Sequence, residues 1–119
     1  MKNDNIIQKK SYAFALEIIK LYKYLIENRE YVLSKQIARS GTAIGACVRE
    51  AESAESKRDF IHKLGIAVKE ARETGYWLEL LKDSEFLQVD WYEDLKLKVD
   101  ELIRILNSII ITTREKHIK

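Results

Sequence analysis

No proline occurs in the 119 residues, so nothing in the chain forbids long helices or enforces a turn. Cysteine is almost absent as well. The single Cys47 excludes an internal disulfide and suits a reducing compartment. No apolar run approaches the roughly 20 residues needed to cross a bilayer, so no membrane partner is expected. Met1–Asn5 is polar and holds no signal-peptide core. These absences point to a cytoplasmic protein. Glycine is scarce: Gly41, Gly45, Gly65 and Gly75 all fall inside stretches of helical spacing, and none belongs to a phosphate-binding loop. Neither sign of charge dominates, the net value being +2, so bulk electrostatics alone does not indicate a nucleic-acid binder.

What the chain does contain is helix-forming residues: Lys, Glu, Leu, Ile and Ala prevail. Its length fits one domain with a single core, residues 1–119. Phe60, Leu64, Ala67, Ala71, Thr74, Leu78 and Leu81 follow at steps of four and three, laying a seam along a helix about six turns long. A neighbouring stripe holds Lys63, Ile66, Glu70, Glu73, Trp77 and Leu80. So wide an apolar surface requires other helices to cover it.

Three more helices supply that cover. After a lead-in over 1–8, whose Ile6 and Ile7 can dock on the core, a helix is predicted over about 9–28 with Phe14, Ile18, Leu21 and Leu25 inward. Asn28 is the expected left-handed residue at its end. The second helix, about 33–51, is rich in small residues, including Gly41 and Gly45, which predicts close approach of another backbone. Ser56 is the expected cap of the third helix, about 57–82. Phe86, Leu87 and Val89 in the next loop should tuck onto the core. Asp90 and Glu93 read as a capping box for the fourth helix, about 91–112, and the polar tail 113–119 should fray. Four amphipathic helices with short connections describe an all-α, up-down-up-down antiparallel four-helix bundle. Tyr12, Tyr24, Tyr76, Trp77, Ile105 and Ile111 cannot all face one interior, which predicts an oligomeric protein.

Chemistry is sparse. The two-metal sites of helical bundles need paired Glu-x-x-His motifs, whereas Asp59-x-x-His62 occurs once and His117 falls in the tail. Arg58 and His62 are too close for the Arg–His spacing of small helical RNases. Cys47 has no nearby histidine and reads as an inert thiol. No cofactor, catalytic residue or small-molecule substrate is expected.

Two sets of polar residues stand out. Arg39 and Arg49 on the second helix and Glu70 and Glu73 on the third are expected to form a buried polar layer that fixes register. An acid–base site there would need a glutamate with a raised pKa in an open pocket. Lysine and arginine outnumber acids by five over residues 1–72 and fall short by three over 73–119. A basic surface can be built from Lys9, Lys10, Lys20 and Lys23 with Lys57, Arg58, Lys63, Lys69 and Arg72, able to hold phosphates without reading sequence. No aromatic stacking platform is evident beside it.

Taken together, Lys10-Ser-Tyr-Ala-Phe-Ala15, Leu33-x-x-Gln-Ile-x-Arg-Ser40, Ile44-Gly-Ala46 with Glu50, Lys63-Leu-x-Ile-Ala67, Lys69-Glu-Ala-x-Glu73 and Tyr76-Trp-Leu78 resemble a known family. It comprises the four-helix-bundle proteins encoded in intervening sequences of 23S ribosomal RNA genes. The chain departs from the pattern at Cys47, where members often carry Asn, and at Ala51, where they often carry Gly. The family is similar to the accessory protein of diversity-generating retroelements. That kinship implies a homopentameric barrel with a basic surface, and nucleic acid and a reverse transcriptase as partners. The expected function is therefore a non-enzymatic, homo-oligomeric bundle that binds structured RNA or DNA. The alternative is a structural or protein-interaction scaffold with no nucleic-acid role.

Overall fold

The three-four seam expected over Phe60–Leu81 forms the inward edge of a helix spanning Lys57–Asp83, with every member from Leu64 to Leu81 buried. The computed structural model describes the backbone from residue 2 to 118 and side chains from residue 6 to 116. Met1 and Lys119, at the ends of the expected lead-in and tail, lie outside the described residues, as does the His117 side chain. Among the described residues there are four helices and no strand: α1 (Lys2–Glu27), α2 (Leu33–Glu52), α3 (Lys57–Asp83) and α4 (Val89–Ile118). They form a bundle 51 × 22 × 19 Å.

Side-chain pairs fix the directions. Ile18 lies on Gly41 and Ser11 on Gly45, so α1 and α2 run antiparallel. Arg39 meets Glu70 and Glu73 while Glu50 meets Lys63, which does the same for α2 and α3. Tyr24 stacks on Trp91 and Lys10 reaches Glu101, closing α4 antiparallel onto α1. Each helix touches its two neighbours around the bundle, and the diagonal pairs do not meet. The core combines Phe14, Ile18, Leu21 and Leu25 with Ile37 and Ile44, the α3 seam, and Leu95, Val99, Leu102 and Leu106.

Both outer helices are longer than their sequence suggests. α1 begins at Lys2 rather than Lys9, because no breaker interrupts residues 2–8 and Ile7 is buried in the core. α4 runs to Ile118, so the tail to that point is helical and continues directly from the turn that buries Ile109 and Ile110.

Caps differ in a similar way. Ser56 accepts from the Asp59 backbone N–H at 3.0 Å, and Asp59 accepts from that of Glu55 at 3.2 Å, as a cap should. Asp90, by contrast, lies inside the first turn of a helix that starts at Val89, too late to cap it. Arg29, with φ 64°, takes the left-handed position expected of Asn28. Asn28 instead donates its amide to the Tyr24 carbonyl at 2.8 Å. α2 has an unforeseen cap: the buried Glu30 carboxylate accepts from the backbone N–H groups of Val32, Leu33 and Ser34 at 3.2, 3.0 and 2.6 Å. Of the three loop residues expected to tuck in, Leu87 is buried, while Phe86 and Val89 are exposed.

Candidate nucleic-acid interface

The spacing of α3 separates its faces. Opposite the buried seam run Arg58, His62, Gly65, Lys69, Arg72 and Tyr76, at steps of four, three, four, three and four, on one outward ridge. All are exposed except Gly65, which is half-buried. From Arg58 to Arg72 the ridge is about 21 Å long at 1.5 Å per residue. Among the described residues, no acid pairs with Arg58, Lys69 or Arg72. Lys57 is exposed at the start of the same helix. Lys63 turns away toward α2, where Glu50 lies 3.6 Å off.

The lysines of α1 form a separate group. Lys9, Lys20 and Lys23 are exposed on its outer face, interleaved with exposed Tyr12, Leu16 and Ile19. Lys10 is held by Glu101 at 3.3 Å. Because α1 and α3 are diagonal, the single basic surface expected from both cannot form on one copy. Helical spacing says which residues share a face; it does not say which helices are neighbours.

Between α2 and α3 the expected polar residues meet, but at the surface. Arg39 places one guanidinium nitrogen 3.1 Å from Glu70 Oε1 and the other against Glu73 Oε2. Its side chain is 49% exposed and that of Glu73 37%, so this is a rim cluster and not a buried layer. Arg49 takes no part in it; its guanidinium lies over the Tyr12 ring, 5.8 Å from the centroid. Trp77 donates its indole N–H to Glu73 Oε2 at 2.9 Å. That bond, and then the Arg39 guanidinium, hold the Glu73 carboxyl below the usual carboxylate range. An acid–base role at neutral pH needs the opposite shift. Beneath the cluster the buried Thr74 hydroxyl is 2.9 Å from that of Ser40 and 2.8 Å from the Glu70 carbonyl oxygen.

Sequence reasoning missed one element of the surface. Tyr76, counted among the leftover apolar residues, ends the α3 ridge with 59% of its surface exposed. Its ring meets Trp77 edge-on, centroids 5.0 Å apart. The signal was available, since Tyr76 continues the three-four series of Arg58, Lys69 and Arg72. Elsewhere, burial and the nearby Glu50 charge push the Cys47 thiol up, consistent with an inert group. Among the described residues no cluster of metal-ligating side chains occurs and no helix is long and apolar enough to cross a membrane. A cleft of about 420 Å³ at the bundle end beside Ile7, Phe60 and Ile109 does not include Glu70 or Glu73, and neither does a wider one of about 620 Å³ beside Tyr24 and Phe86.

The sequence model of the 23S rRNA-intervening sequence protein family matches residues 3–108. The chain belongs to this family. The resemblance drawn from Lys10–Leu78 is thus shown. A crystal structure from the S23 ribosomal protein family of Bacteroides thetaiotaomicron VPI-5482, of a protein with unknown function, is 52% identical. The match covers 91% of this chain and 97% of that one, with a TM-score of 0.90. Among curated proteins none matches. For the 23S rRNA-intervening sequence protein family these comparisons give a fold and no activity, so function must be argued from the α3 ridge itself.

Proposed function

We propose that the protein is a non-enzymatic, cytoplasmic, nucleic-acid-binding bundle that acts as an assembly of several copies and grips phosphates through α3. The observation that carries this is the outward row of Arg58, Lys69 and Arg72, with no acid pairing any of them among the described residues. Solvated helix faces ordinarily mix signs and pair them, as Lys96 with Asp100 and Lys98 with Asp94 do on α4. A row of free cations on one ridge suits a polyanion, and contacts of this kind carry no base preference. Association is supported by the apolar part of the α1 outer face, where Tyr12, Leu16 and Ile19 are 57, 48 and 40% exposed. Copies joined there would leave each α3 ridge facing out.

A filter-binding titration of RNA and DNA across salt tests the reading. Affinity should fall linearly on logarithmic axes as salt rises. Replacing Arg72 by alanine should lower that slope by about 1. Reversing Lys69 and Arg72 to glutamate should remove binding, while reversing Lys20 and Lys23 on α1 should weaken it less. No binding at low salt, or a salt-independent signal, would end the proposal. In that case the exposed apolar residues of α1 would favour a protein-interaction scaffold.

A further inference from the structure

Two features of the α3 ridge are not explained by phosphate contacts alone. The first is Gly65. Within a helix glycine is less favourable than alanine, so its presence usually reflects a close neighbour. Gly41 has such a neighbour, since a Cβ there would lie 2.8 Å from Ile18 Cγ1. A Cβ on Gly65 would meet nothing within 4 Å. Packing inside this chain does not call for glycine at that point. It sits midway along the ridge, with Arg58 and His62 on one side and Lys69 and Arg72 on the other, and makes a notch one side chain deep.

The second feature is Tyr76. An exposed ring at the end of a basic row offers a face to any planar group that follows the row. It is also held in place. Tyr76 leans on Trp77, the Trp77 indole is fixed by Glu73, and Glu73 by Arg39. The rim cluster between α2 and α3 thus positions the ring. Past Tyr76 the ridge turns acidic, at Glu79 and Asp83, which bounds the stretch a polyanion can occupy.

We infer that an unpaired stretch of nucleic acid runs along α3, its sugar–phosphate backbone closest to the helix at Gly65 and one base stacked on Tyr76. This rests on the nucleic-acid reading above and narrows it from any polyanion to a strand with free bases. A duplex is a stiff convex rod, and against a single straight ridge it touches only a short length. Entry of α3 into a groove would bring its flanks against phosphates, and one flank carries Glu70 and Glu73. A single strand can follow the ridge, and only unpaired bases present a face for Tyr76 to cover.

The test compares a single-stranded uridine homopolymer with a blunt RNA duplex of equal length, at low salt, by fluorescence anisotropy on the full chain. The matching DNA strands are run alongside to separate the two nucleic acids. The single strand should bind more tightly than the duplex. Tyr76→Ala should cost the strand about fivefold or more and leave the duplex unchanged, while Tyr76→Phe should retain the strand affinity. Gly65→Ala should raise the thermal midpoint yet weaken the strand, which separates binding from folding. Equal binding of strand and duplex, unmoved by either alanine variant, would overturn the inference while leaving phosphate binding intact. A change of assembly size in the Tyr76→Ala variant would overturn it differently, by showing that the ridge is covered by a second copy. Absence of binding by either probe would remove the reading on which the inference rests.

Discussion

Gly41 and Gly65 are the same residue under opposite constraints. At Gly41 a methyl group would enter the Ile18 side chain, buried in the middle of the core, where little can yield. The helix-propensity gain of about 1 kcal/mol for alanine is then outweighed by overpacking of about 1–3 kcal/mol. Gly41→Ala should therefore lower the urea midpoint, where Gly65→Ala raises it. The sequence separates the two only by face, Gly41 among the small residues of α2 and Gly65 opposite the α3 seam; the neighbour that decides the outcome, Ile18, is supplied by the fold. Glu73 gives a second residue-scale expectation. Its carboxyl binds protons less readily folded than unfolded, so its contribution to stability is complete at neutral pH and is lost as pH falls below about 4. Because the cluster is half-exposed, Glu73→Gln should cost under about 1 kcal/mol at neutral pH. Urea unfolding of both proteins should show that difference shrinking in acid.

At the scale of the helix, spacing was the reliable guide. The steps of three and four in α3 place the buried seam from Leu64 to Leu81, because an unbroken apolar series has one way to face inward. Ends were less legible. Ser56 caps as expected because it immediately precedes the first residue of α3, whereas Glu30 caps α2 from three residues before Leu33, outside any local pattern. The polar start of α1 reads as a lead-in because hydrophilicity and helicity are different properties; among the described residues Ile7 ties that segment to the core. The candidate site suffered most. Spacing names the residues of a ridge but not which helices adjoin, so Lys9, Lys20 and Lys23 read as one surface with the α3 cations although the fold sets α1 and α3 diagonally apart, and Tyr76 reads as leftover apolar surface rather than the end of the α3 row.

For the molecule as a whole, the proposed association of copies would turn on the outer face of α1. Exposed Tyr12, Leu16 and Ile19 make a strip that a single copy leaves in water, with Leu97 and Ile111 exposed on α4. Sedimentation should find an assembly whose mass falls to one copy when Leu16 and Ile19 are both changed to glutamate, with helicity retained. The arrangement of the helices has another consequence, for time rather than shape. Each helix leans on those next to it in the chain, with only α1 and α4 brought together from afar. Most contacts thus close short loops, and no prolyl bond has to isomerise. A single copy should consequently regain its structure within milliseconds of dilution from urea. Any slower, concentration-dependent phase would then clock the meeting of copies by itself, separate from the folding of each.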